Sequence, residues 1–114
     1  MSLQPWSETT WVSTLDDGAG RPAEAIATLE RALQVRDARG DAAPDVVVDL
    51  TGLSTLGTVQ LDRLRLLRRR LARSGGRLRL CAPGEALWAV ILGAGADREF
   101  LWSRDVVGAL VEMV

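Results

Sequence analysis

The sequence predicts an α/β fold in which strands and helices alternate along a chain of 114 residues. Val46, Val47 and Val48 form a short β-branched run without polar alternation, which is typical of a strand covered on both faces. A polar, Gly-containing loop follows, and from Thr58 apolar residues recur at helical spacing. This change of period occurs several times, which predicts a mostly parallel sheet with right-handed crossovers.

The first half of the predicted domain contains a strand, a helix and a loop. Residues 1–10 are predicted to be a flexible lead-in, and residues 11–114 a single domain. The alternation in 11–15 predicts the first strand. Pro22 suits a first helical position, and Gly40 suits a helix stop. Between them apolar residues recur at helical spacing, which predicts a helix over 22–38.

The second half repeats the alternation. We predict the central strand at 45–50, a helix at 58–73, a strand at 78–82, a helix at 84–92, a strand at 99–102 and a last helix at 104–112. Ser103 is predicted to be the N-cap of that last helix. The order β-α-β-α-β-α-β-α predicts a sheet of four or five strands.

Composition excludes several kinds of chemistry. The chain has no His, Tyr or Lys, which removes the commonest general base and the Schiff-base nucleophile. We therefore predict no cofactor and no metal site. Cys81 is the single cysteine and lies in a predicted buried strand, which indicates an inert core thiol. There is no signal peptide and no apolar run that could span a membrane, so a cytoplasmic location without membrane insertion is expected.

The stretch Asp45–Leu56, read as Asp-Val-Val-Val-Asp-Leu-Thr-Gly-Leu-Ser-Thr-Leu, resembles the central motif of the STAS domain. This family is named for sulfate transporters and anti-sigma-factor antagonists. Its strand ends in Asp-Leu-Ser-Gly-Val and is followed by Asp-Ser-Ser-Gly-Leu at a helix start. The likeness continues through Gly75–Cys81 and covers 45–111. It implies a STAS-like α/β fold and a function like that of anti-sigma-factor antagonists.

The resemblance also identifies the position of the family's phosphoacceptor serine. In an ungapped match that serine falls on Val59, which has no hydroxyl group. Gly57 replaces the acidic residue of the motif, and Gln60 replaces its glycine. Thr58 is the nearest hydroxyl and remains a candidate phosphoacceptor, because a helix N-terminus favours a phosphate. The alternative is that Thr58 serves as the N-cap of the helix.

Three acidic residues follow predicted strands. Asp49 is predicted to support the loop by accepting backbone N–H groups, and the alternatives are that it positions a hydroxyl or binds a metal. Asp16 and Asp17 lie where several STAS proteins carry functional acids. The family's signature is not recognisable there, so a turn over 16–20 is predicted.

The central helix is predicted to have a core side formed by Leu61, Leu64, Leu67 and Leu71. The other side carries charged residues together with two apolar ones, which indicates a protein contact, although a solvated face is the alternative. Eight arginines and no acid lie between Arg63 and Arg79, and the rest of the chain has 6 arginines against 15 acids, a formal charge of −9. This polarity could steer an acidic partner. The predicted partner-binding residues are Ser54, Thr55, Gly57, Thr58, Val59, Asp62, Arg63, Leu66, Arg69 and Arg70.

These observations predict a non-enzymatic regulatory domain that binds an anti-sigma factor, a serine kinase or a related signalling protein. The substituted motif indicates that it lacks the usual phosphoserine switch. Nucleic acid is not predicted, because no stacking aromatic residues accompany the arginines. Two alternatives stay open. One is a STAS subunit of a membrane transport complex. The other is a small phosphocarrier or enzyme that uses Asp49 and the hydroxyls of Thr51, Ser54, Thr55 and Thr58.

Overall fold

The structure is a computed structural model that describes residues 3–5, 7, 9–17 and 22–113. Its strands form one five-stranded sheet in the order β1-β2-β3-β4-β5. The strands are β1 (Leu3–Pro5), β2 (Thr10–Thr14), β3 (Asp45–Asp49), β4 (Leu78–Cys81) and β5 (Leu101–Ser103). The helices are α1 (Pro22–Ala38), α2 (Thr58–Arg73), α3 (Glu85–Gly93) and α4 (Val106–Glu112), and a 3₁₀ turn spans Ala96–Arg98.

The sheet is mostly parallel, as the alternating pattern predicts. Strands β2 to β5 run parallel to their neighbours, and β1 pairs with β2 in the antiparallel direction. The predicted helices over 22–38 and 58–73 match α1 and α2 in both bounds. The fold class predicted from the sequence is therefore confirmed.

The central strand is apolar throughout because both faces of the sheet are covered. Val46 and Val48 pack into the larger core, which also contains buried residues of α1, α2 and α3. Val47 points to the other face and packs with Cys81, Ala109 and Met113, the last two contributed by or next to α4. The unbroken valine run thus reflects burial on two sides.

Two local predictions were wrong. The lead-in predicted over 1–10 contains β1, which a three-residue segment does not reveal because its pairing with β2 and the packing of Leu3 are tertiary contacts. Ser103 is the last residue of β5 and not a helix cap. Asp105 caps α4 instead, and its carboxylate accepts the backbone N–H of Gly108 at 2.7 Å.

Glycine is required where α2 turns into β4. Gly75 has a φ of 84°, a conformation that other residues rarely adopt. The N–H of Gly76 donates to the carbonyl of Leu71 at 2.8 Å, which closes the end of the helix. A Cβ on Gly76 would lie 2.5 Å from the carbonyl oxygen of Pro44, so no larger residue fits there without a backbone shift.

Candidate functional site

The loop after β3 is held in place by Asp49 and by two buried leucines, and it leaves Ser54 and Thr55 exposed to solvent. Asp49 accepts hydrogen bonds from the backbone N–H of Thr51 at 3.0 Å and from its hydroxyl at 2.5 Å. Leu53 and Leu56 are buried in the core and anchor the loop at two points. The exposed residues between and after these anchors are Ser54, Thr55 and Gly57. The loop therefore presents polar groups on a fixed backbone.

The loop after β2 is attached to the loop after β3. The carboxylate of Asp17 accepts the N–H of Ser54 at 3.0 Å, and the N–H of Asp17 donates to the carbonyl of Gly52 at 3.1 Å. A Cβ on Gly52 would lie 2.8 Å from the Cβ of Asp16, which explains the glycine at this close approach. The sequence predicts a turn over 16–20 but does not show these contacts, which join residues far apart in the chain. Residues 18–20 of that turn lie outside the described residues.

These two loops and the start of α2 form a shallow cleft of about 260 Å³ at the carboxyl ends of the strands. Asp17, Thr55, Gly57 and Gln60 contribute to its lining. Sites in open α/β sheets typically form at this edge. Asp49 does not line the cleft, because its carboxylate is turned toward Thr51.

Thr58 is not the N-cap of α2, so this interpretation of its hydroxyl was wrong. The N-cap is Gly57, which has an extended backbone with φ −74° and ψ 164° and no side chain to cap the helix. Thr58 is the first helical residue, and its exposed hydroxyl makes no hydrogen bond to a described residue. Val59 follows it and is also exposed. The structure thus places an accessible hydroxyl one residue before the position that the STAS motif gives to its serine.

Helix α2 has one buried side and one exposed side, as its periodicity predicts. Leu61, Leu64, Leu67 and Leu71 are buried in the core. On the opposite side, 66% of Val59 and 59% of Leu66 are exposed. We call this side the outer face of α2, and it consists of Val59, Asp62, Leu66, Arg69 and Arg73, all of which are exposed.

Arg63 and Arg70 belong to the junction with α1 and not to the outer face. Arg63 forms a salt bridge with Glu30, and Arg70 forms one with Asp37 at 2.5 Å. Glu30 and Asp37 are seven residues apart on α1, and their partners are seven residues apart on α2 in the same direction. Helices α1 and α2 therefore pack side by side in parallel. Both arginines are among the predicted partner-binding residues, because helical position alone does not show which neighbouring helix they contact.

The arginine-rich stretch is largely compensated within the fold. Arg65 bridges Asp62 and Glu99, Arg77 pairs with Asp45, and Arg79 pairs with Glu112. With the two junction pairs, five of the eight arginines have a carboxylate partner. On the outer face, Arg69 and Arg73 form no salt bridge with a described residue, although the charge of Arg69 also acts on Glu99. The charge that is free to attract a partner is therefore smaller than the sequence predicts.

Cys81 lies on the α4 side of the sheet and is fully buried. Burial raises the pKa of the thiol to about 12, and the negative charges of Asp49 and Asp105 add to the rise. In the described ranges, no three His, Cys, Asp or Glu side chains lie close enough together to hold a metal ion. None of the helices in the described part of the chain is both long and apolar enough to cross a lipid bilayer.

The strand order, the position of α4 on the second face of the sheet and the exposed loop and helix start after β3 define an α/β domain with a STAS-like fold. The structure is similar to that of a serine-to-glutamate variant of RsbS from Moorella thermoacetica, an anti-sigma-factor antagonist with a STAS domain. The TM-score is 0.72 and the sequence identity 15%, over 96% of this chain and 91% of that chain.

The likeness confirms the STAS fold that the motif around Asp49 predicts. At this identity it shows the fold alone, so partners and regulation need their own argument. No model of a protein family matches the sequence, and no similar sequence is found among curated proteins.

Proposed function

We propose that this domain is a non-enzymatic regulatory module that binds a protein partner through the outer face of α2 and the loop before it. The observation that carries the proposal is the exposure of Val59 and Leu66. They lie two helical turns apart on a helix whose core contacts are already supplied by four buried leucines. Two apolar side chains at this spacing can anchor a partner, and the charged residues around them form a polar rim.

The loop next to this helix favours the same surface. Ser54, Thr55, Gly57 and Thr58 are exposed, and their backbone is held by Asp17 and by the buried leucines of the loop. A segment that is ordered before binding loses little conformational entropy when the partner docks. The outer face and the exposed loop residues therefore form one continuous candidate interface.

The partner class follows from fold and charge together. The STAS fold and the resemblance to anti-sigma-factor antagonists favour an anti-sigma factor or a related serine kinase as the partner. Arg69 and Arg73 are exposed and form no salt bridge with a described residue, which suits a partner with an acidic contact surface. Such a partner acts on transcription, so the proposal places the complex in the cytoplasm.

We also propose that the domain works without the usual phosphoserine switch. Val59 has no hydroxyl to accept a phosphate, and Thr58 is displaced by one residue, or about 100° around the helix. Mass spectrometry of the protein from its host should find Val59 unmodified and Thr58 unphosphorylated or nearly so. Stoichiometric phosphate on Thr58 would contradict this part of the proposal without affecting the binding surface.

The phosphocarrier alternative has less support. Both Asp49 and the hydroxyl of Thr51 are occupied by their mutual hydrogen bond, and Asp49 does not line the nearby cleft. A carboxylate that accepted a phosphoryl group would need to face that cleft. The alternative of a transport-complex subunit predicts a different partner for the same surface. The identity of the bound protein therefore distinguishes this alternative from the proposed function.

Calorimetric titration with purified candidate partners tests the proposal. The candidates are anti-sigma factors and kinases on one side, and transport-complex subunits on the other. Leu66→Asp should weaken binding by about 30-fold, equivalent to about 2 kcal/mol. Val111→Asp is the matched control, because Val111 is an equally exposed apolar residue on α4 at the other face of the sheet. Equal affinities for wild type and Leu66→Asp, with both folded by circular dichroism, would contradict the proposed interface.

A further inference from the structure

A second cleft lies at the opposite end of the sheet, beside the amino ends of β4 and β5. Its volume is about 380 Å³, which is within the range of small-molecule pockets. The second half of α2 forms one wall, and the chain entering β4 and β5 forms the other. Its charged and larger apolar lining residues are Arg68, Arg77, Arg98, Glu99, Phe100 and Leu101. None of them belongs to the proposed partner surface.

The cleft has an excess of positive charge. Three arginines line it together with a single acidic residue, Glu99. Arg65 holds this carboxylate through its Nε and, at 3.1 Å, through Nη2. These hydrogen bonds lower the pKa of Glu99 although its partial burial opposes the shift, so the carboxylate stays ionised and already paired. The hydrogen-bond partner of Glu99 thus lies outside the cleft, and the charges of Arg68 and Arg69 also favour the ionised carboxylate.

Two of the three cleft arginines are available to a ligand. Arg77 shares its charge with Asp45, whose Oδ2 lies 2.9 Å from Nη2. Arg68 and Arg98 form no salt bridge with a described residue, although the positive charge of Arg68 also attracts the carboxylate of Glu99. The guanidinium of Arg68 lies 5.7 Å from the ring centre of Phe100, a cation–π contact that orients the side chain and leaves its hydrogen-bond donors free.

The walls between these charges are apolar. Leu78 and Phe100 are buried at the base, and Leu101 is 47% exposed on an edge strand. Apolar walls of low dielectric strengthen the attraction between guanidinium groups and an anion. Guanidinium groups donate paired hydrogen bonds to phosphate and carboxylate oxygens.

We propose that this cleft binds a compact small-molecule polyanion, either a phosphate compound or a polycarboxylate, with Arg68 and Arg98 as its main ligands. Arg77 is not counted as a ligand, because its guanidinium is held by the carboxylate of Asp45 and by the carbonyl of Met113. With Arg77 paired to Asp45 and Glu99 paired to Arg65, the positive charges of Arg68 and Arg98 remain in the lining, which matches a ligand with at least two negative charges. The proposal is independent of the partner surface, because it uses other side chains at the other end of the sheet.

Isothermal titration of the full chain with inorganic pyrophosphate and, separately, with citrate tests the proposal at low ionic strength. We expect one equivalent of at least one anion to bind with a dissociation constant of about 1 mM or less, and the tighter anion identifies the chemical class. Arg98→Gln and Arg68→Gln should each weaken binding by about tenfold or more. Arg39→Gln removes the same charge from an exposed position at the end of α1 and should change binding by less than about twofold.

Two results would overturn the proposal. One is the absence of saturable binding of either anion up to about ten times the expected dissociation constant. The other is an equal loss in Arg39→Gln and Arg98→Gln, which would show attraction by diffuse surface charge only. Arg68→Gln removes the cation–π contact with Phe100 and could disturb the local packing. Arg98→Gln avoids this problem, because no described residue forms a salt bridge or hydrogen bond with the guanidinium of Arg98.

Discussion

The carboxylate of Asp17 accepts a hydrogen bond from the backbone N–H of Ser54 at 3.0 Å, across 37 positions of sequence. This bond attaches the loop after β2 to the loop that carries the candidate partner-binding residues. The conformation of the loop after β3 therefore depends on the loop after β2.

Asp17→Ala should loosen the loop after β3 more than it destabilises the fold. The Ser54 N–H would then bond only to water, so the free energy of unfolding should fall by about 1 kcal/mol. Hydrogen exchange at the Ser54 amide should become faster than in wild type. Asp17→Asn retains a carbonyl acceptor and should preserve most of the protection. Unchanged Ser54 exchange in Asp17→Ala would show that the bond does not hold the loop.

Truncation of two nearby leucines of α2 should have very different effects on the free energy of unfolding. Leu64 is fully buried, so Leu64→Ala should lower the free energy of unfolding by about 2–5 kcal/mol. Leu66 lies on the outer face, so Leu66→Ala should change the free energy of unfolding by about 0.5 kcal/mol or less. Urea unfolding measures both values. A large loss in Leu66→Ala would show that this side of the helix is buried and would remove the basis of the proposed interface.

The pair of Arg65 and Glu99 should contribute stability that depends on pH. Hydrogen bonds from Arg65 lower the pKa of Glu99 below its ordinary value of 4.5. The ionised pair therefore stabilises the fold above about pH 4.5, and this contribution is lost as the pH falls through the lower folded pKa. Wild type should exceed Glu99→Gln in urea midpoint at pH 6, and the difference should shrink as the pH is lowered toward 3.

Glu85→Gln is the control for this experiment, because the carboxylate of Glu85 is exposed and forms no salt bridge with a described residue. Its urea midpoint relative to wild type should change less with pH than that of Glu99→Gln. A Glu99→Gln difference that stays constant between pH 6 and pH 3 would contradict the assigned role of the pair.

Cys81 should be almost unreactive in the folded protein. Its thiol is buried and its pKa is raised to about 12, so the reactive thiolate is scarce at pH 8. Labelling with a chromogenic disulfide reagent at pH 8 should be slow in native protein and fast in guanidinium chloride. Rapid stoichiometric labelling of the native protein would show that the face covered by α4 opens readily.

The periodic features of this chain could be predicted from the sequence because they are local. The 3.6-residue recurrence of Leu61, Leu64, Leu67 and Leu71 indicates both a helix and its buried side, and α2 has both. The valine run of β3 indicates a strand covered on two faces. The exposure of Val59 and Leu66 follows from the same periodicity. In each case the signal lies within one element, so no knowledge of neighbouring elements is needed.

The contacts between elements were decided only by the tertiary structure. Helical position does not show that Arg63 and Arg70 reach the carboxylates of α1, or that Arg68 and Arg98 meet at one cleft. The strand β1 and the bond between Asp17 and Ser54 likewise depend on which segments become neighbours. Apart from β1, the sequence alone determined the main strands and helices, their order and their buried sides, because burial periodicity is a local property. The folded chain determined which charges are paired between elements, because those pairs join residues 32 to 34 positions apart.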